Sequence, residues 1–221
     1  MTATDGTGSG PASVGAPISA LLDRFSAEAP PTDRAQAAVM IVLREGSHDV
    51  EALLIERATR RNDRASGQIA LPGGHVHSDD RSLRDTAVRE CAEEVGIRLA
   101  DLRGAPRFVG IETARAFSMD VAVFAAELGA PAPGPTVYSP NEVASVFWLP
   151  RSVLGRSERV LRPTYRGEME VPAVLYADHV LWGFTRRLLL KFFGFPPDPG
   201  DDPVARELSD SPDLSGAPRT V

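Results

Sequence analysis

Leu71-Pro72-Gly73-Gly74, followed after fourteen residues by Arg89-Glu90-Cys91-Ala92-Glu93-Glu94-Val95-Gly96-Ile97, is the stretch from which the rest of the chain is read. Ser82, with Asp85 three residues on, is a capping pattern that opens a helix, and Gly96 closes it. On that helix Glu90, Glu93 and Glu94 stand at i, i+3 and i+4, so they leave one face within about a third of a turn. Ala87, Val88, Cys91, Ala92 and Val95 take the neighbouring face and can seat the helix on a sheet. Arg89, four residues before Glu93, can pair with a carboxylate and hold it. Three clustered carboxylates repel one another unless a divalent cation neutralises them. Hard oxygen donors without a Cys/His set favour Mg²⁺ or Mn²⁺ over zinc. A solvated acidic face is the plainer reading of such a pattern; the glycine turn and the interleaved Arg89 favour the metal.

Ala35 to Arg44 and Val50 to Arg57 are strand-like runs around a hairpin turn at residues 45–49. Gln68 to Leu71 is a short strand leading into the glycines. Arg107 to Thr113 and Met119 to Leu128 read as strands, residues 129–137 as a Gly/Pro loop, and Ser145 to Leu149 as the last clear strand. Ile18 to Phe25 has helical spacing, and His179 to Phe193 reads as an apolar helix stopped by Gly194. The Gly/Ala/Ser/Thr/Pro-rich segment 1–17 and the acidic, Pro/Asp-rich segment 196–221 are expected to be disordered, leaving a single domain over 18–195. The order of elements predicts an α/β fold, with a mixed sheet covered by helices on both faces.

A net charge of −6 excludes an overall basic surface for nucleic acid and argues against steering of an anionic substrate by the protein as a whole. Phosphates must be met by local arginines and by metal. The single cysteine, Cys91, forms no internal disulfide, and its place on the apolar helix face marks it as a small buried hydrophobe rather than a nucleophile. No apolar run reaches the length of a membrane span, and the N-terminus does not read as a signal peptide, so the expected location is cytoplasmic.

The quoted segments resemble the Nudix box. Residues Arg89 to Ile97 match its second half at every fixed position, with Cys91 in the first aliphatic slot. The first half departs: Gly74 lies fifteen residues before Arg89 instead of fourteen, and the place of the expected Glu holds Arg81, preceded by Asp79 and Asp80. A one-residue expansion with Asp in place of Glu looks like the coenzyme A pyrophosphatase branch of the family. That branch carries a second motif upstream. Leu53-Leu54, Arg57, Gly67 and Pro72-Gly73-Gly74 match it, while Ala58, Leu71 and one extra residue before Gly67 depart. Ser139-Pro140-Asn141-Glu142-Val143 and Val146 to Pro150 resemble the following loop and strand.

The resemblance implies an α/β/α sandwich and a Mg²⁺- or Mn²⁺-dependent diphosphatase. Glu90, Glu93, Glu94 and the carbonyl of Gly74 would ligate metal, with Arg89 in support and Glu93 or Glu142 as base. Arg57, Arg60, Arg61 and Arg64 are the candidates for holding substrate phosphates. His75 and His77, lacking a third histidine at metal spacing, are read as hydrogen-bonding or solvated groups. The expected partner is a small nucleotide, coenzyme A or an acyl derivative first, with no nucleic acid and no membrane; self-association as a homodimer stays open. ADP-ribose, a dinucleotide or a nucleoside triphosphate would use the same metal site. A non-catalytic Nudix-fold nucleotide-binding module is the alternative of another class, to which Arg81 and the imperfect first half point.

Overall fold

Nine residues rich in β-branched and aliphatic side chains, Ala37–Glu45, form the central strand β1, and Val50–Arg57 returns beside it as β2. The turn between them closes where the Gly46 N–H donates to the Asp49 carbonyl at 2.9 Å. The computed structural model describes residues 17–61, 65–130, 134–137, 139–164 and 167–198. The expected disorder of the tails falls mainly on 1–16 and 199–221, outside the described residues, as does Arg64. Strand β3 is Ile69–Ala70, β4 Gly73–His75, β5 Arg107–Ala114, β6 Met119–Glu127 and β7 Val143–Pro150. The sheet runs β3-β2-β1-β6-β5, with β4 also on β1 and β7 on β2. It is mixed because β6 lies parallel to β1 while the other pairs are antiparallel.

Alternation along β1 and β2 builds two cores. Met40, Val42, Leu53 and Ile55 face one way, under helix α2 (Leu83–Val95). Ile41, Leu43, Ala52 and Leu54 face the other, under α1 (Ile18–Leu22) and α3 (Gly183–Phe193). Both faces of these strands are buried, which is why they read as continuous apolar runs instead of alternating ones. The result is the expected α/β/α sandwich.

The C-terminal third differs from the sequence reading. Ser145 to Leu149 is not in the last strand: β8 (Glu158–Thr164), β9 (Gly167–Tyr176) and β10 (His179–Trp182) form a second, antiparallel sheet. Helix α3 begins at Gly183, not at His179. Val180, Leu181 and Trp182 suit either periodicity, and Gly183, at φ +65°, breaks the helical extension that their hydrophobicity suggests. Strands β8 and β9 escape notice because Leu161 and Leu175 face solvent and Pro172 interrupts the run.

Cys91 is buried on α2, and desolvation, with the nearby Glu94 charge, pushes its thiol up to about 12. A maleimide should therefore leave the folded protein unlabelled at neutral pH and modify one thiol per chain after denaturation. Mass spectrometry before and after urea reads this directly. Rapid labelling of the folded protein would contradict the packing described.

Candidate active site

Ser82 caps α2, its Oγ accepting from the Asp85 N–H at 3.2 Å, and Gly96 ends it in the left-handed conformation at φ 73°. Strand β4 pairs with β1 in the register Ala38↔Gly74 and Val39↔Gly73, which presses the glycine turn against α2. The Gly73 N–H donates to Glu94 Oε2 at 2.9 Å. A Cβ on Gly74 would lie 2.5 Å from Glu90 Oε1, so only glycine leaves room for that carboxylate. Glu94 is 3% exposed, and its carboxyl is raised from 4.5 to about 7. Burial is the main cause, with the charges of Glu90 and Glu142 adding to it; the Gly73 N–H and Arg57 act against it.

Arg89 is the buttress. Its Nε and one terminal nitrogen donate to the two oxygens of Asp80, each at 3.0 Å, and the same nitrogen donates to the His75 carbonyl at 3.0 Å. The other terminal nitrogen reaches Glu90 at 2.9 Å and Glu93 at 3.1 Å. Asp80 also accepts from the Thr86 hydroxyl at 2.8 Å and the His77 N–H at 2.9 Å. This set, the Arg89 guanidinium first, holds its carboxyl well below the usual range. Asp80 is thus the orienting partner of Arg89; the sequence reading has an Asp in place of the box's Glu but gives Asp80 no role in the site. Counting back from Arg89 led to Arg81, which is exposed; counting six residues forward from Gly74 would have led to Asp80. The extra residue lies between Asp80 and Arg89.

The structure brings Glu90, Glu94 and the glycine turn together, with Arg57 and Glu142 in electrostatic range of Glu94. Glu93 has the more exposed side chain, 56%, and shares one Arg89 nitrogen with Glu90. Arg60 is engaged elsewhere: its Nε donates to the Asn141 carbonyl at 2.6 Å and its guanidinium lies 3.3 Å from Glu142. It fastens the 139–142 loop beside the strand end, where the Ala58 N–H also donates to the Glu142 carbonyl at 2.8 Å. Arg61 is exposed. His75 and His77 contribute through their backbones, the His75 carbonyl accepting from Arg89 and the His77 N–H donating to Asp80. Among the described residues, no three acidic, His or Cys side chains converge as a ready cation cage. The donor set nevertheless fits a hard divalent ion. Glu90 and Glu94 are carboxylates held side by side at a glycine turn, and burial disfavours the ionised form of Glu94, which a cation would restore.

A carboxylate face on a helix, buttressed by an arginine and set against a glycine turn, is the equipment of a metal-dependent hydrolase. The chain belongs to the Nudix hydrolase family: a NUDIX domain model matches residues 34–167, more than half of its length. It is 28% identical over 182 residues to an uncharacterised Nudix hydrolase, NudL, of Photorhabdus laumondii, covering 78% of this chain and 94% of that protein. It is 37% identical over 123 residues to the peroxisomal coenzyme A diphosphatase ndx-8 of Caenorhabditis elegans, covering 52% of this chain and 49% of that protein. A solved MutT/nudix family protein from Enterococcus faecalis, 17% identical, covers 76% of this chain and 64% of that chain at a TM-score of 0.48, too slight a likeness to argue from. Nudix hydrolases as a group use divalent metal ions and small nucleotide substrates. No helix among the described residues is long and apolar enough to cross a membrane.

Proposed function

We propose that the chain hydrolyses the diphosphate linkage of a nucleoside diphosphate derivative, coenzyme A or acyl-coenzyme A first among them, to 3′,5′-ADP and (acyl-)4′-phosphopantetheine. The observation that carries the hydrolytic reading is the Glu90–Glu94–Gly74 group with Arg57 beside it. Glu90 and Glu94, joined by Glu93 when its side chain swings from Arg89 and by the Gly74 carbonyl, would hold the divalent cation. That ion, when bound, offsets charge building on the phosphoryl oxygens and lowers the pKa of its water. Arg89 keeps Glu90 in register, Asp80 keeps Arg89, and Arg57 meets a phosphate oxygen from the strand end. Glu93 or Glu142 takes the proton from the attacking water. Arg60, being spent on Asn141 and Glu142, positions the loop, which leaves Arg61 in the described part of the 58–67 turn to meet the 3′-phosphate.

Support for coenzyme A comes from the upstream motif, the expanded box and the likeness to the coenzyme A diphosphatase of Caenorhabditis elegans. Coenzyme A should be cleaved with a higher kcat/KM than ADP-ribose. Dephospho-coenzyme A should be poorer by one charge-assisted contact, about 1.5–3 kcal/mol. Mass spectrometry of the products with Mg²⁺ or Mn²⁺ decides. A preference for ADP-ribose, or indifference to the 3′-phosphate, would remove coenzyme A and leave a diphosphatase of another nucleotide.

A further inference from the structure

On the face of β2 opposite the carboxylates lies a second cleft, of about 190 Å³, lined by Glu56, Gly67, Arg162, Asp178, His179 and Trp182 among others. It is assembled from both sheets, with β10 packed against β3. Glu56 accepts from the Ser145 hydroxyl at 3.1 Å and lies 3.7 Å from His179, whose ring stacks on Phe147 at 3.8 Å. Arg162 differs from these: its Nε is buried and makes no hydrogen bond among the described residues. A buried guanidinium donor without an acceptor is costly in a folded protein, and a ligand acceptor would remove that cost.

We propose that this cleft receives the adenine base of the substrate. The inference rests on the nucleoside diphosphate reading above, since each adenosine-containing candidate brings that base. The lining offers donors and acceptors side by side. Arg162 can donate to a ring nitrogen, and the Asp178 or Glu56 carboxylate can accept from the exocyclic amine. The volume is below the roughly 300 Å³ at which pockets for whole drug-sized ligands begin, and suits one ring system.

Position agrees with chemistry. Glu56 and Arg57 are neighbours on β2 whose side chains leave on opposite faces. The Gly67 N–H donates to the Arg57 carbonyl at 3.1 Å, so the turn that borders the cleft is tied to the arginine beside Glu94. A nucleotide rounding this strand end presents its base on one side and its diphosphate on the other. Arg61 lies in the same turn.

The chain has two tryptophans, Trp148 and Trp182, so Trp148→Phe leaves Trp182 as the reporter. Titration of the full chain with adenosine, in metal-free buffer, should quench that fluorescence saturably, and uridine should not. Arg162→Ala and Asp178→Asn in this background should each weaken adenosine binding by roughly tenfold, the worth of one hydrogen bond, while Glu94→Gln leaves it unchanged. In turnover, Arg162→Ala should raise KM and leave kcat nearly as it was, because the base is held alike in ground and transition states. If Arg162→Ala fails to fold, the exposed Asp178 carries the test. Absence of saturable quenching, or quenching that neither substitution alters, overturns the proposal. Adenosine binding without cleavage of any adenosine diphosphate derivative would support the cleft and sink the hydrolytic reading. Cleavage with KM unmoved in both variants would do the reverse.

Discussion

Replacing Glu94 with Gln should lower kcat by on the order of a hundredfold or more, the usual cost of removing a group that stabilises transition-state charge. The fold should survive, because Gln keeps the shape and its carbonyl oxygen can still accept from the Gly73 N–H. In chelator the variant should melt no lower than the wild type, since a buried carboxylate with carboxylate neighbours is replaced by a neutral group. Added Mg²⁺ should raise the melting temperature of the wild type and raise that of the variant much less, because binding to the native state alone stabilises by mass action. Calorimetry with and without Mg²⁺ separates this from a general loss of structure. Wild-type kcat in Glu94→Gln would end the assignment of Glu94 to the metal.

Much of this site is legible in the sequence because its parts are local. The i, i+3, i+4 spacing fixes where Glu90, Glu93 and Glu94 leave α2, and the Ser82 and Gly96 caps fix where that helix starts and stops. The sheet is legible for a related reason: β1, β2 and β6 are buried on both faces, so their hydrophobicity is unbroken. What could not be read depends on contacts distant in sequence. Helix periodicity groups Glu93 with its two neighbours, while the clamp of Glu90 and Glu93 on one Arg89 nitrogen depends on Asp80, which aims that guanidinium from the preceding loop. Composition makes Arg60 a phosphate ligand, while the fold places it against Asn141 and Glu142, some eighty residues on. Strands β8 and β9 carry no clean alternation because Leu161 and Leu175 face water and Pro172 interrupts the run, and β10 runs on into the apolar α3, so the second sheet, and with it the cleft at Arg162, had no local signature.

The two glycines of the turn should fail in different ways when a methyl group is added. At Gly73, φ is +154°, and a Cβ would stand 2.3 Å from the Ala38 carbonyl oxygen and 2.6 Å from Val39 Cα. Both are main-chain atoms of β1, the strand on which the sheet is built, so they have little freedom to retreat. Strand β4 must then move away, loosening the bond from the Met40 N–H to the Pro72 carbonyl at 2.9 Å and withdrawing the Gly73 N–H from Glu94. Overpacking together with backbone strain should cost about 3 kcal/mol in Gly73→Ala, a fall of roughly 6–12 °C in Tm for a domain of this size. Activity should fall with it. At Gly74 the obstacle is the carboxylate of Glu90, the far end of a side chain. Glu90 can swing aside, so Gly74→Ala should keep most of the stability while losing much of kcat, as a displaced metal ligand would. Thermal melts and kcat for the two variants, measured side by side, give the comparison. If Gly73→Ala melts with the wild type, or Gly74→Ala keeps full activity, the pairing of this turn with β1 and α2 is not what shapes the site.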